Sequence, residues 1–126
     1  MEKEVDVVTL CEKLIKMTTQ EKCAWKETSE NNRFKLSLSN GDVEIYHFRP
    51  TQFDLMNVEY YELSLFDKAH IRYATYKDSN SQGSQFVIFK SLYWSVRDLL
   101  EKIRRRKIAL LYNELSDSEG ENSDKN

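Results

Sequence analysis

Glycine, proline, cysteine and histidine are all scarce in this chain of 126 residues, and each scarcity closes off a class of chemistry. The three glycines, Gly41, Gly83 and Gly120, stand far apart, so no glycine-rich loop can gather backbone amides around a phosphate. His47 and His70 are the only histidines and Cys11 and Cys23 the only cysteines, and none of them forms the close pairs from which zinc sites are built. A Cys–His dyad needs a thiol to meet an imidazole across the fold, which no spacing here predicts. The chain is therefore expected to be a non-enzyme, with no catalytic, cofactor-binding or metal-binding residues. Long apolar runs are missing too: no stretch approaches the roughly 18 residues of a membrane span. Met1-Glu2-Lys3-Glu4 leads into no secretory apolar region, and two unpatterned thiols fit a reducing compartment, so a cytoplasmic protein without membrane contact is expected.

Charge of one sign is also lacking. The formal net charge is −2, and residues 116–126 alone carry −3 (Asp117, Glu119, Glu121 and Asp124 against Lys125), which leaves +1 on residues 1–115. A nearly neutral body with an acidic tail has no general field to draw in nucleic acid. The hydrophobic share of 40% is enough for one modest core, so residues 1–115 are expected to form a single domain and 116–126 a disordered tail.

What the sequence has is a succession of periodicities. Val7, Leu10, Cys11 and Leu14 recur at helical spacing, flanked by Val8 and Ile15, with Thr18-Thr19 as the end of the helix. Strand signals follow. Trp25 opens a short strand over Ala24–Thr28, and Phe34, Leu36 and Leu38 alternate with polar neighbours. Asn40-Gly41 marks a type I′ hairpin, and Val43, Ile45 and His47 alternate in turn. Pro50 falls in the loop beyond. A further hairpin joins Val58–Phe66 to Ile71–Tyr76 through Asp67-Lys68, and residues 78–84 form a polar loop. From Phe86, the positions of Phe89, Leu92, Tyr93, Val96, Leu99, Leu100 and Ile103 fit a helix with Ser84 as its N-cap, the alternative for Gln85–Phe89 being a sixth strand. The fold class is α+β: an antiparallel meander of about five strands, with an N-terminal helix and a long C-terminal helix on one face.

The segment Lys22–Thr28, Phe34, and Tyr61–Asp67 before Ile71 resembles a loose group of small bacterial and phage proteins. That group has an N-terminal helix, a Trp-containing first strand, a meander and a C-terminal helix. The resemblance implies a fold and a prokaryotic or phage origin; it carries over no functional residue. The long C-terminal helix and acidic tail depart from the group's shorter ending.

Two surfaces stand out as partner-binding candidates. If the alternating apolar residues face the helices, the outer face of the sheet collects Lys35, Tyr46, Phe48, Tyr60, Arg72 and Tyr76. Mixed aromatics and bases suit protein hot spots or the stacking of single-stranded nucleic acid, while cross-strand pairing that stiffens the sheet is the plainer account. The second surface is the distal helix. Continuing the core stripe from Leu100 and Ile103 lands on Lys107, within the run Arg104-Arg105-Arg106-Lys107. Beyond it Ile108, Leu111, Tyr112 and Leu115 form a new stripe rotated by roughly 100°, at 100° per residue. Either a kink at 104–107 or a straight helix packing on another body, a partner or a second copy, accounts for the rotation. The function expected is thus a non-catalytic protein-interaction module, an accessory or inhibitor of a protein partner. The alternative is a nucleic-acid-binding accessory using Arg104–Lys107 and the sheet face.

Overall fold

The computed structural model describes residues 4–48, 58–80 and 84–124, with side chains as far as Ser118. Pro50, Gly83 and the first three residues lie outside the described residues. The elements are α1 (Val7–Thr19), β1 (Lys26–Glu27), β2 (Arg33–Leu38), β3 (Gly41–Phe48), β4 (Tyr60–Phe66), β5 (Arg72–Ser79) and α2 (Phe86–Asp124). The five strands form one antiparallel sheet in sequence order, as short hairpin connections require. The expected α+β meander with two helices is what forms, and Phe86–Phe89 is helix, not a sixth strand.

Alternation sets which side of the sheet each residue takes. Phe34 lies opposite Ile45, Ile45 opposite Leu63 and Leu63 opposite Tyr76, while Leu36, Val43, Leu65 and Ala74 make the parallel row. These rows face α2, whose Phe89, Leu92, Tyr93, Val96 and Leu99 fill the core, and α1 adds Cys11 and Leu14. Tyr76 is therefore an inward residue, half-buried on the core, and not a member of the outer face. The bulge between Leu65 and Phe66 lies two positions from it and does not alter this, because Leu63 and Tyr76 are already in register. Leu38 shares the inward alternation, yet it is 53% exposed.

Local chemistry explains the helix ends. Asp6 caps α1, its Oδ1 accepting the Thr9 amide at 2.8 Å. At the other end the Lys22 amide donates to Met17 O and the Glu21 amide to Thr18 O, both at 2.9 Å, with Glu21 at φ 60°. This is a Schellman closure in which glutamate holds the left-handed position usually given to glycine. Thr18, fully buried, accepts the Trp25 indole N–H at 2.9 Å, so Trp25 packs under α1 and the strand begins one residue later, at Lys26. α2 starts where the Phe89 amide bonds Gln85 O at 3.1 Å, which makes Gln85, not Ser84, the cap residue.

The shortage of glycine has a structural counterpart. Among the described residues three non-glycine residues sit at positive φ, Glu21, Asn32 and His70, and each side chain ties its turn to a distant element. Glu21 accepts from Arg106 at 2.6 Å, Asn32 from the Tyr93 hydroxyl at 3.2 Å, and His70 Nδ1 lies 2.7 Å from Asp42 Oδ2. A local backbone strain of about 1 kcal/mol per site is offset by a long-range hydrogen bond that glycine could not make. The Asn40-Gly41 turn also differs from expectation. Leu38 pairs with Gly41, so Ser39 and Asn40 are the two turn residues, and among the described non-glycine residues neither has positive φ. A type I′ turn is thereby ruled out, and the glycine is needed for another reason: at φ 145° it lets β3 pass close to the Phe66 carbonyl.

Candidate interaction surface

The outer sheet face brings together Tyr46, Phe48 and Tyr60, with consecutive ring centroids 6.1 Å apart. Their neighbours on the same face are charged and already paired. The Arg33 guanidinium lies 4.3 Å from the Tyr46 centroid and also meets Glu30 at 2.9 Å and Glu44 at 3.0 Å. Lys77 Nζ lies 4.7 Å from the Tyr60 ring and 5.6 Å from Phe48. Arg72 is at the far end of the sheet, 5.4 Å from Phe66, and Lys35 meets Asp42 at 3.6 Å. Cations thus cover the rings on which a base would stack, and acids alternate with them. Of the three clustered rings only Phe48 is exposed. This face is knit together by its own side chains.

On the opposite face, His47 stacks on Tyr61 with centroids 4.6 Å apart, and its Nε2 lies 3.4 Å from Glu59 Oε2. Tyr61 also receives the Trp94 indole N–H at 3.0 Å. His47 is a half-buried residue among aromatics. His70 is exposed, as its place beside a turn implied. Cys11 is buried at the α1–core boundary, and desolvation pushes its thiol up to about 12, which keeps it in the unreactive neutral form. Among the described residues no group of three His, Cys, Asp or Glu side chains is placed to hold a metal. A cleft of about 350 Å³ lies between the β1–β2 loop and α2, and the charges in its wall satisfy one another: Arg104 meets Glu27 at 2.9 Å and Glu101 at 3.0 Å.

The basic run divides between two roles. Arg106 donates to Glu21 at 2.6 and 3.2 Å, Lys102 reaches the same carboxylate at 3.5 Å, and Arg104 reaches Glu27. The Arg106 hydrogen bonds hold the Glu21 carboxyl below its usual range, helped by the charge of Lys102. These three bases fasten α2 to the end of α1 and to β1. Arg105 is exposed, and among the described residues it meets only its helical neighbour Glu101, at 3.6 Å.

Past this clamp α2 leaves the body. Helical structure continues unbroken through 104–107, so no helix break separates the two apolar stripes. Among the described residues the core stripe ends at Ile103, the last apolar residue of α2 packed on the core. Every residue from Lys107 to Leu115 is exposed, and Ile108, Leu111, Tyr112 and Leu115 stand at 59%, 62%, 68% and 70% exposure. Scattered exposed apolar residues are ordinary, but four on one helical face are a patch. Backbone helix runs on to Asp124, into the segment that the sequence assigns to a tail.

The apolar periodicity does not pick out two further features of this helix. Trp94 is 41% exposed at its junction with the sheet aromatics, and it falls outside the core stripe that the periodicity picks out. Lys107 and Glu114 are both exposed and seven residues apart, which places them on one flank of the distal stripe. Their heptad spacing was the available signal. No described helix is long and apolar enough to cross a membrane. No family model, curated protein or solved structure matches the chain.

Proposed function

We propose that this chain is a non-catalytic protein-interaction module that binds through the distal face of α2. One observation carries the reading: four large apolar side chains share a helical face beyond the last contact with the body. An amphipathic helix presented in this way suits recognition by burial of its anchors. The body then serves as a mount, with Glu21 and Glu27 fixing where the helix emerges. The resemblance to small bacterial and phage proteins gives the reading its specific form, a cytoplasmic accessory or inhibitor of a protein partner. The sheet face supports the reading less, since its cations and rings are engaged with each other. The nucleic-acid alternative is weakened because two bases of its run, Arg104 and Arg106, are held by the carboxylates of Glu27 and Glu21.

The test is capture from a bacterial lysate with the full chain, Leu111→Glu and Phe48→Ser as parallel baits. The expected result is a protein retained by the wild type and Phe48→Ser but lost with Leu111→Glu. Identical capture by all three baits would refute a role for the distal face. Binding to single- or double-stranded DNA at about 50 mM salt, where phosphate contacts are strongest, would instead favour the alternative.

A further inference from the structure

The spacing of the exposed stripe carries more than its apolarity. Positions 108, 111, 112 and 115 read the same from either end: reversal about the point between 111 and 112 exchanges 108 with 115 and 111 with 112. A two-fold axis there sets Ile108 against Leu115 and Leu111 against Tyr112 in both copies at once, which is the self-complementarity an isologous dimer needs. The flank obeys the same symmetry in charge. Lys107 and Glu114 lie on one side of the stripe, since seven residues turn the helix through about 700°, only 20° short of two full turns.

In an antiparallel pair centred on that axis, equivalent flanks meet. Lys107 of one copy then lies level with residue 116 of the other, within about one helical turn of its Glu114, and the symmetric contact doubles the pair. A parallel pair would instead bring the flank of Lys107 and Glu114 against the opposite flank, where Ala109 and Ser116 offer neither charge a partner. Antiparallel pairing also places the bodies at opposite ends of the helix pair, because each body ends at Arg106, level with residue 117 of the other copy. The four anchors and their flanks would bury on the order of 600 Å² per copy, at the lower end of specific interfaces.

We infer that the occupant of the distal α2 face is a second copy of this chain, paired antiparallel through Ile108, Leu111, Tyr112 and Leu115, with Lys107 of each copy against Glu114 of the other. The inference rests on the reading of this face as a protein-binding surface and names its partner. Area does not fix affinity, and for an interface this small we take a dissociation constant on the order of micromolar as the value to test.

Sedimentation velocity on the full chain tests it, over about 5 to 200 μM, a range chosen to bracket that affinity. The mass is expected to rise from the 15.0 kDa of the monomer towards twice that value. Leu111→Glu should stay monomeric throughout while keeping the thermal midpoint of the body, because residue 111 touches none of it. K107E and E114K should each weaken the dimer by about 3- to 10-fold, and K107E/E114K together should return to within about 2-fold of the wild type. A wild type that stays monomeric at the highest concentration overturns the proposal. Dimerisation of Leu111→Glu at wild-type strength overturns it as well, as do charge variants with no effect or a double variant weaker than the singles. A monomeric wild type whose Leu111→Glu form still loses a captured foreign protein would sink this inference and leave the broader reading standing.

Discussion

Replacing Gly41 with alanine isolates a tertiary constraint that a hairpin motif does not contain. Gly41 opens β3 at φ 145°, a backbone conformation that L side chains rarely adopt. An added Cβ would run into the Phe66 carbonyl oxygen and lie 3.2 Å from its carbon and 3.4 Å from the Asp67 Cα. All three atoms are backbone, and Phe66 is held on both sides by its pairing with Asp42 and Arg72, so no flexible side chain can move away. Backbone strain of about 1–3 kcal/mol and overpacking of similar size make a total of about 3–4 kcal/mol, a large part of a small domain's stability. With a urea slope of about 1.5–2 kcal/mol/M, the unfolding midpoint should fall by about 2 M. Asn40→Ala is the control: Asn40 is exposed without positive φ, and it should cost less than about 0.5 kcal/mol. A Gly41→Ala midpoint within about 0.5 M of the wild type, or an Asn40→Ala as damaging as Gly41→Ala, would refute the close-approach argument.

Three further outcomes follow from other sites. Thr18→Val strands the buried Trp25 indole N–H and should cost about 1–3 kcal/mol with a changed tryptophan emission, whereas Thr18→Ser should keep most of the stability. The Asp42 carboxyl is held below its usual range, chiefly by its hydrogen bond to His70 against the cost of burial, with Ser37 and Lys35 assisting. The unfolded chain then binds the extra proton first, so this stabilisation is complete above about pH 4 and is lost as the pH falls through the lower folded value; His70→Ala should flatten that acid limb in urea titrations. With a thiol reagent at pH 8, buried Cys11 should stay unmodified until unfolding while half-buried Cys23 reacts, and equal rates for the two thiols in the folded protein would contradict the burial.

Much of this architecture is determined by the sequence itself. Side-chain periods of 3.6 and 2 are consequences of backbone geometry, so the residues 10, 11 and 14 of α1, the alternation of β2 and β3, and the core stripe of α2 are visible before any contact is known. The distal stripe belongs with them, since Ile108, Leu111, Tyr112 and Leu115 are set by spacing alone. Their meaning is not, because spacing cannot show where the body ends. Tertiary structure decided that α2 runs unbroken past its clamp, that Tyr76 turns inward opposite Leu63, and that Arg104 and Arg106 are bound to Glu27 and Glu21. It also decided that Gly41 serves the passage of β3 beside Phe66 and not a type I′ turn. Each of these depends on residues distant in the chain, and local periodicity carries no record of which distant residues will be neighbours.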